Sequence, residues 1–396
     1  MTNVYVDPTA SEDGDGSEAQ PFNSWASVSF EAGDYYLQRA GTTASATLHV
    51  TATSVTIGAY GSGAAPVLEG GIDLDGATNV TVQGLDIENP NGPAIALENG
   101  ANSITIIDNS LINSRMGIWI GNNAGGGNLI ANNAITGNAT HGIGIAQIAA
   151  GSRIVGNNVS NNAWYGIDID GDGFTVSGNA VDGNGLTIPG TSGIHVYGGA
   201  PGAPDGFGVG NAITGNMTDG NHDSEGLDGN GIELDQYTHG NVVIGNESEN
   251  NDGAGIVLFD SYENDVIGNL LAFNEQDPGH SHTVMGQLAL NESDGDTYSN
   301  YIAANAGIST QSSPAVFIDG VSVNEDNEFA ANIWESPTGG SSTQIGVDTS
   351  WAHWLLFAPT DHDGGLSPIA PYTAGTPDFT SPWQAYGSFL PHGFAQ

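Results

Sequence analysis

The chain has 396 residues, with 60 Gly, no Cys, no Lys and only three basic side chains, Arg39, Arg115 and Arg153, against 45 Asp and Glu. A formal net charge of −42 repels phosphate backbones and anionic lipid, which excludes nucleic acid and the membrane surface as partners. The absence of cysteine removes disulfides and thiolate metal sites, while 38% hydrophobic residues are enough to build a core.

Residues 1–72 hold VYVDPTASEDGDGSEAQPFNSW, GDYYLQRAG and SVTIGAYGSGAAPVLEGG, and are expected to form an N-terminal cap and the first coils of a solenoid. No apolar run reaches the ~18 residues of a spanning helix, and the opening MTNVYVDPTASEDG lacks a basic and apolar leader pattern. With carboxylates in such excess, calcium is the expected cation and an extracellular, salty or calcium-rich setting is favoured.

From 73 to 335 the chain repeats. Asn pairs five residues apart recur at Asn133/Asn138, Asn157/Asn162, Asn179/Asn184, Asn211/Asn216, Asn246/Asn251 and Asn269/Asn274, with Asn109/Ser114 as a weaker copy. A second strand type opens on Gly117-Ile-Trp-Ile, Gly142-Ile-Gly-Ile, Gly166-Ile-Asp-Ile, Gly193-Ile-His-Val, Gly231-Ile-Glu-Leu and Gly255-Ile-Val-Leu, at intervals of 25, 24, 27, 38 and 24 residues. Such units cannot bury their apolar side chains alone. Stacked, they share one core, so the fold expected is all-β, a parallel β-solenoid with one repeat per coil and Asn ladders at its turns. Residues 336–396 are rich in Pro and aromatic residues and are expected to cap the far end.

In a Gly-Ile-x-Ile-x strand the Ile residues point inward and the x residues outward. One outward column then reads Trp119, Gly144, Asp168, His195, Glu233, Val257, and a second reads Gly121, Ala146, Asp170, Tyr197, Asp235, Phe259. Asp168, Asp170, Glu233, Asp235 and His195 are the catalytic candidates. Paired carboxylates ~5 to 9.5 Å apart are what glycosidic hydrolysis requires, and their crowding keeps one of them protonated. Trp119, Tyr197, Tyr237 and Phe259 are candidates for holding sugar rings. Asp168-Ile-Asp170-Gly-Asp172-Gly has the spacing of a calcium loop, so Asp168, Asp170 and Asp172 are also candidate metal ligands. His280 and His282 in GHSH could chelate or simply form a turn.

The segments VYVDPTASEDGDGSEAQPF, TIGAYGSGAAPVL and NGIELDQYTHGNVVIGNESENNDGAGIVL resemble secreted right-handed parallel β-helix proteins that act on carbohydrates. That resemblance implies a right-handed helix, a polysaccharide substrate and a secreted protein, monomeric by default with a trimer as the alternative. The superfamily spans hydrolases, lyases, epimerases and non-catalytic fibres. Tyr165-Gly-Ile-Asp168 is also similar to the start of the motif in alginate C5-epimerases, which implies roles for Tyr165 and Asp168. The family's His is Asp170 here, its Lys has no counterpart, and Arg115 is the one candidate replacement. A glycoside hydrolase is therefore the expected activity, with a uronate lyase or C5-epimerase and a non-catalytic glycan-binding solenoid as alternatives.

Overall fold

The computed structural model describes residues 2–146, 151–199, 207–226, 228–277, 286–292, 295–309, 315–318, 326–335 and 343–345. His280, His282 and, apart from Thr343–Ile345, the C-terminal segment 336–396 lie outside these residues. The described chain winds into a right-handed parallel β-helix of three sheets with 13, 12 and 12 strands, each strand pairing in parallel with its equivalents in the coils above and below. One coil illustrates the path: Arg153–Val155 in the first sheet, Asn158–Ser160 in the second and Ile167–Ile169 in the third.

The five-residue Asn period has a local cause. Each short strand spends three residues in extended backbone, one in the left-handed region, and ends on an Asn whose side chain turns inward. Ala212–Thr214 is followed by Gly215 at φ 60 and Asn216, and Met217–Asp219 by Gly220 at φ 57 and Asn221. Where glycine is absent, Asn132, Asn161 and Asn250 adopt the same left-handed backbone, which Asn tolerates better than most residues. The corner Asn residues form three ladders: Asn211–Asn241–Asn264–Asn300–Asn327, Asn109–Asn133–Asn157–Asn179–Asn216–Asn246–Asn269–Asn305–Asn332, and Asn138–Asn162–Asn184–Asn221–Asn251–Asn274. In each, the side-chain amide donates to the next Asn oxygen and to a buried backbone carbonyl, so polar groups at sharp corners stay satisfied. One expected pair is corrected: Asn211/Asn216 joins the first and second ladders, whereas Asn216/Asn221 is the equivalent of the other pairs, because the same five-residue spacing occurs at both corners.

The core is a set of aliphatic stacks. Ile118, Ile143, Ile167, Ile194, Ile232, Ile256 and Leu288 occupy successive rungs of the third sheet and are fully buried. Burial of each such side chain contributes roughly 1.5–3 kcal/mol. At the N-terminal end the indole of Trp25 covers the first coil and donates to Gln38 Oε1 at 2.8 Å. Among the described residues no helix is long and apolar enough to cross a membrane.

Candidate active site on the third sheet

The inward phase of the Ile residues turns the residues between them outward, and strand pairing sets these in columns. Trp119, Gly144, Asp168, His195, Glu233 and Val257 occupy consecutive rungs, and Tyr197 pairs with Asp235 in the neighbouring column. Asp170 follows Ile169, whose partner Val196 precedes Tyr197, so Asp170, Tyr197 and Asp235 also stand on consecutive rungs.

A third outward column precedes the Gly of each strand: Met116, His141, Tyr165, Ser192, Asn230. Each of its first four members reaches diagonally to the next coil. Met116 sulfur lies where a side chain on Gly144 would stand. His141 Nε2 donates to Asp168 Oδ2 at 3.2 Å. Tyr165 stacks on His195, with ring centroids 4.4 Å apart and planes 8° apart. Ser192 donates to Glu233 Oε2 at 2.5 Å, and Asn230, on the same coil as Glu233, donates to that oxygen at 3.2 Å.

These contacts complete a chain of alternating histidine and carboxylate. His195 Nδ1 donates to Asp168 Oδ1 at 2.8 Å and Nε2 to Asp235 Oδ2 at 3.3 Å. Burial opposes a charged imidazole, yet the bonds to Asp168 and Asp235 prevail and hold His195 well above the ordinary range. Burial likewise works against the Asp168 carboxylate, and hydrogen bonds from His141 and His195 overcome it, holding the group below its usual range. Neighbouring groups move the other way. Burial and the Asp168 charge push Asp170 up to about 7. Burial and Asp235 raise Glu233, while burial and Glu233 raise Asp228. Burial, with Glu233 and Asp168 adding to it, keeps Tyr165 a neutral phenol.

The structure thus brings Asp168, Asp170, His195, Glu233, Asp235, Tyr165 and Tyr197 together on three coils. Of the three Asp residues of the calcium-loop spacing, Asp168 has both oxygens on histidines, and Asp172 Oδ1 accepts from the Val209 N–H at 3.0 Å. Trp119 lies two rungs before Asp168, half-buried in room left by Gly121 and Gly144. Arg115 is exposed at the start of that earlier strand, with its N–H on the Asn89 and Gly92 carbonyls. Tyr237 occupies a left-handed corner two residues beyond Asp235. Phe259 packs on a small outer apolar cluster of Ala254, Val257, Ala289 and Phe317, so the polar face ends there. His141, Ser192, Asn230 and Asp228 escaped the sequence reading. The first three share a signal, the residue immediately before each Gly-Ile, that lies outside the alternation of the strand.

Residues 64–204 match the family described as right handed beta helix region. No curated protein sequence matches the chain. Among solved structures, the A-module of the mannuronan C-5 epimerase AlgE4 of Azotobacter vinelandii aligns with a TM-score of 0.61 and 15% identity over 80% of this chain and 89% of that one. The Dettilon tailspike protein aligns at 0.59 and 14% over 79% of this chain and 62% of that one. The catalytic domain of a GH87 alpha-1,3-glucanase aligns at 0.51 and 12% over 80% and 64%. The chain therefore spans less than two thirds of the tailspike and of the glucanase. At these identities the likeness is one of fold: the chain is a right-handed parallel β-helix, and the chemistry of its outer face has to be argued from its own residues.

Proposed function

We propose that this protein is an extracellular glycoside hydrolase that cleaves a polysaccharide lying across the outer face of the third sheet, with inversion at the anomeric carbon. The observation that carries this reading is the placement of Asp170 and Asp235 in one half-buried column, separated by the single rung of Tyr197. Two rungs correspond to about 9.6 Å, at the wide end of the spacing that leaves room for substrate and a water between acid and base.

Asp170, which keeps its proton up to about pH 7, donates it to the glycosidic oxygen. Asp235, aligned by the His195 imidazolium, takes a proton from the attacking water. Asp168 and Glu233 stand behind this pair, held by His141 and His195 and by Ser192 and Asn230, and serve as positioning residues. A neutral sugar suits the site better than a uronate. Asp170, Glu233 and Asp228 are already driven towards their protonated forms, and an added substrate carboxylate would raise that cost.

A uronate epimerase or lyase is the second reading, favoured by Tyr165 stacked on His195 beside Asp168. Its weakness is the Tyr165 phenol, which the surrounding burial and carboxylates make a poor base. A screen of neutral and uronic polysaccharides separates the two. New reducing ends without ultraviolet absorbance of an unsaturated uronate are expected. Reducing ends accompanied by that absorbance would transfer the assignment to β-elimination, and silence on every polysaccharide would remove the hydrolase reading.

A further inference from the structure

Charge is unbalanced around His195. Asp168, Asp228, Glu233 and Asp235 crowd one buried or half-buried region, and the chain has no lysine to answer them. The arginines lie elsewhere: Arg39 pairs with Asp7, Arg153 is in the first sheet, and Arg115 precedes a strand three coils from His195. His195 and His141 are the facing histidines.

Within that region one nitrogen and two carboxylate oxygens converge. Ligand atoms of His195, Glu233 and Asp235 all lie within 4.8 Å of one another. The His195 Nε2 to Asp235 Oδ2 distance of 3.3 Å is long for a charge-assisted hydrogen bond, which settles at ~2.7–2.9 Å. It matches the roughly 3.0–3.4 Å between two neighbouring ligands that share one ion at ~2.1 Å. The surrounding contacts are those of a metal-ligating histidine. Nδ1 is held by the Asp168 carboxylate at 2.8 Å, with His141 on the other Asp168 oxygen, so that Nε2 is aimed at the two acids. Glu233 is steadied by Ser192 and Asn230.

We propose that His195 Nε2, Glu233 and Asp235 form a binding site for one divalent first-row transition metal ion. An imidazole with two carboxylates suits Zn²⁺, Co²⁺ or Ni²⁺, whereas Ca²⁺ requires a larger all-oxygen shell. Three protein ligands leave a further position for water, and binding releases the Nε2 proton to solvent. The effect on catalysis rests on the hydrolase reading: an ion on Asp235 occupies the lone pair that the base needs, so the loaded enzyme hydrolyses more slowly. Binding itself does not depend on that reading.

The test is titration of chelator-stripped full-length protein with Co²⁺, followed by its visible absorption, which tetrahedral or five-coordinate nitrogen and carboxylate ligation intensifies. One Co²⁺ per chain is expected, displaced by Zn²⁺ and not by excess Ca²⁺, with affinity lowered about 100-fold in both His195→Gln and Glu233→Gln. Thermal melts identify any variant that fails to fold, and the other then decides. No intensified absorption, the same absorption in a folded variant, or equal displacement by Ca²⁺ would overturn the site. Absence of polysaccharide hydrolysis with the Co²⁺ signal intact would remove the hydrolase reading alone.

Discussion

Two kinds of column run along this solenoid, and they differ in how they treat repetition. At the corners the same residue recurs: Asn133, Asn157, Asn179, Asn216, Asn246 and Asn269 each donate to the next oxygen and to a buried carbonyl. On the outer face of the third sheet no two neighbouring rungs agree, and Asp168, His195 and Glu233 follow one another. A ladder satisfies its polar groups by copying, because every rung presents the donor that the next rung lacks. The outer face satisfies its polar groups by contrast, an acid beside an imidazole. Such an arrangement is finite, and it ends where Val257, Ala289 and Phe317 take over the column. In a repeat protein, the rungs that depart from the repeat mark the place where chemistry is concentrated.

If contrast serves chemistry and copying serves stability, mutations should separate the two. The largest effect is expected from Asp170→Asn, which should lower kcat by about 10³-fold or more, in line with loss of a general acid, while leaving the fold intact. In the parent enzyme the alkaline limb of kcat/KM should fall near pH 7, where Asp170 loses its proton. Stability should follow pH in the same direction as activity. An Asp whose folded pKa is raised contributes stability below its unfolded value of ~3.9 and loses it as pH rises towards 7. Asp170→Asn should therefore melt higher than the parent at pH 8 and not at pH 4. Full activity in this variant would dissolve the distinction between the columns.

The converse break is Asn179→Ala. Asn179 lies in the interior of a ladder, with its amide on the Ile154 carbonyl and Asn216 Oδ1, both at 2.9 Å, and its oxygen accepting from the Asn157 N–H and amide. Truncation strands these partners in the core, so a loss of about 3 kcal/mol is expected in denaturant unfolding. Specific activity of the protein that remains folded should change little.

Much of this organisation is legible from residue order, for a physical reason in each case. Strand alternation sets the phase of Asp168, His195 and Glu233, since moving Ile167 or Ile194 outward would turn a fully buried side chain to water. The Asn columns are legible as a spacing, but Asn211 shows that a five-residue period fits both corners and cannot say which is which. His141 and Ser192 are harder to see because each stands immediately before a Gly-Ile pair, ahead of or at the very start of its strand, where the regular alternation has not begun. Their partners Asp168 and Glu233 are 27 and 41 residues away along the chain, a proximity that only coil stacking creates. The contacts of the D-x-D-x-D-G segment are hidden for a related reason: the first Asp is in a sheet and its oxygens accept from neighbouring coils.

The smallest expected effect lies where copying is applied to charge. On the second sheet Asp182, Asp219 and Glu249 occupy consecutive rungs, with Glu247 paired to Met217 on the same face. Like charges in register repel. Burial, with Glu247 and Asp219 adding to it, pushes Glu249 up to about 7, and burial with Asp219 raises Asp182. Because the folded value of Glu249 lies above its unfolded value of ~4.3, its contribution favours the fold at low pH and is lost between about pH 4 and 7. Glu249→Gln removes the repulsion at high pH and changes nothing once the acid is protonated. Its melting temperature should exceed the parent's at pH 8, the difference should shrink in concentrated salt as screening increases, and it should vanish near pH 4. A gain that is the same at all three conditions would mean that packing, not charge, limits this column.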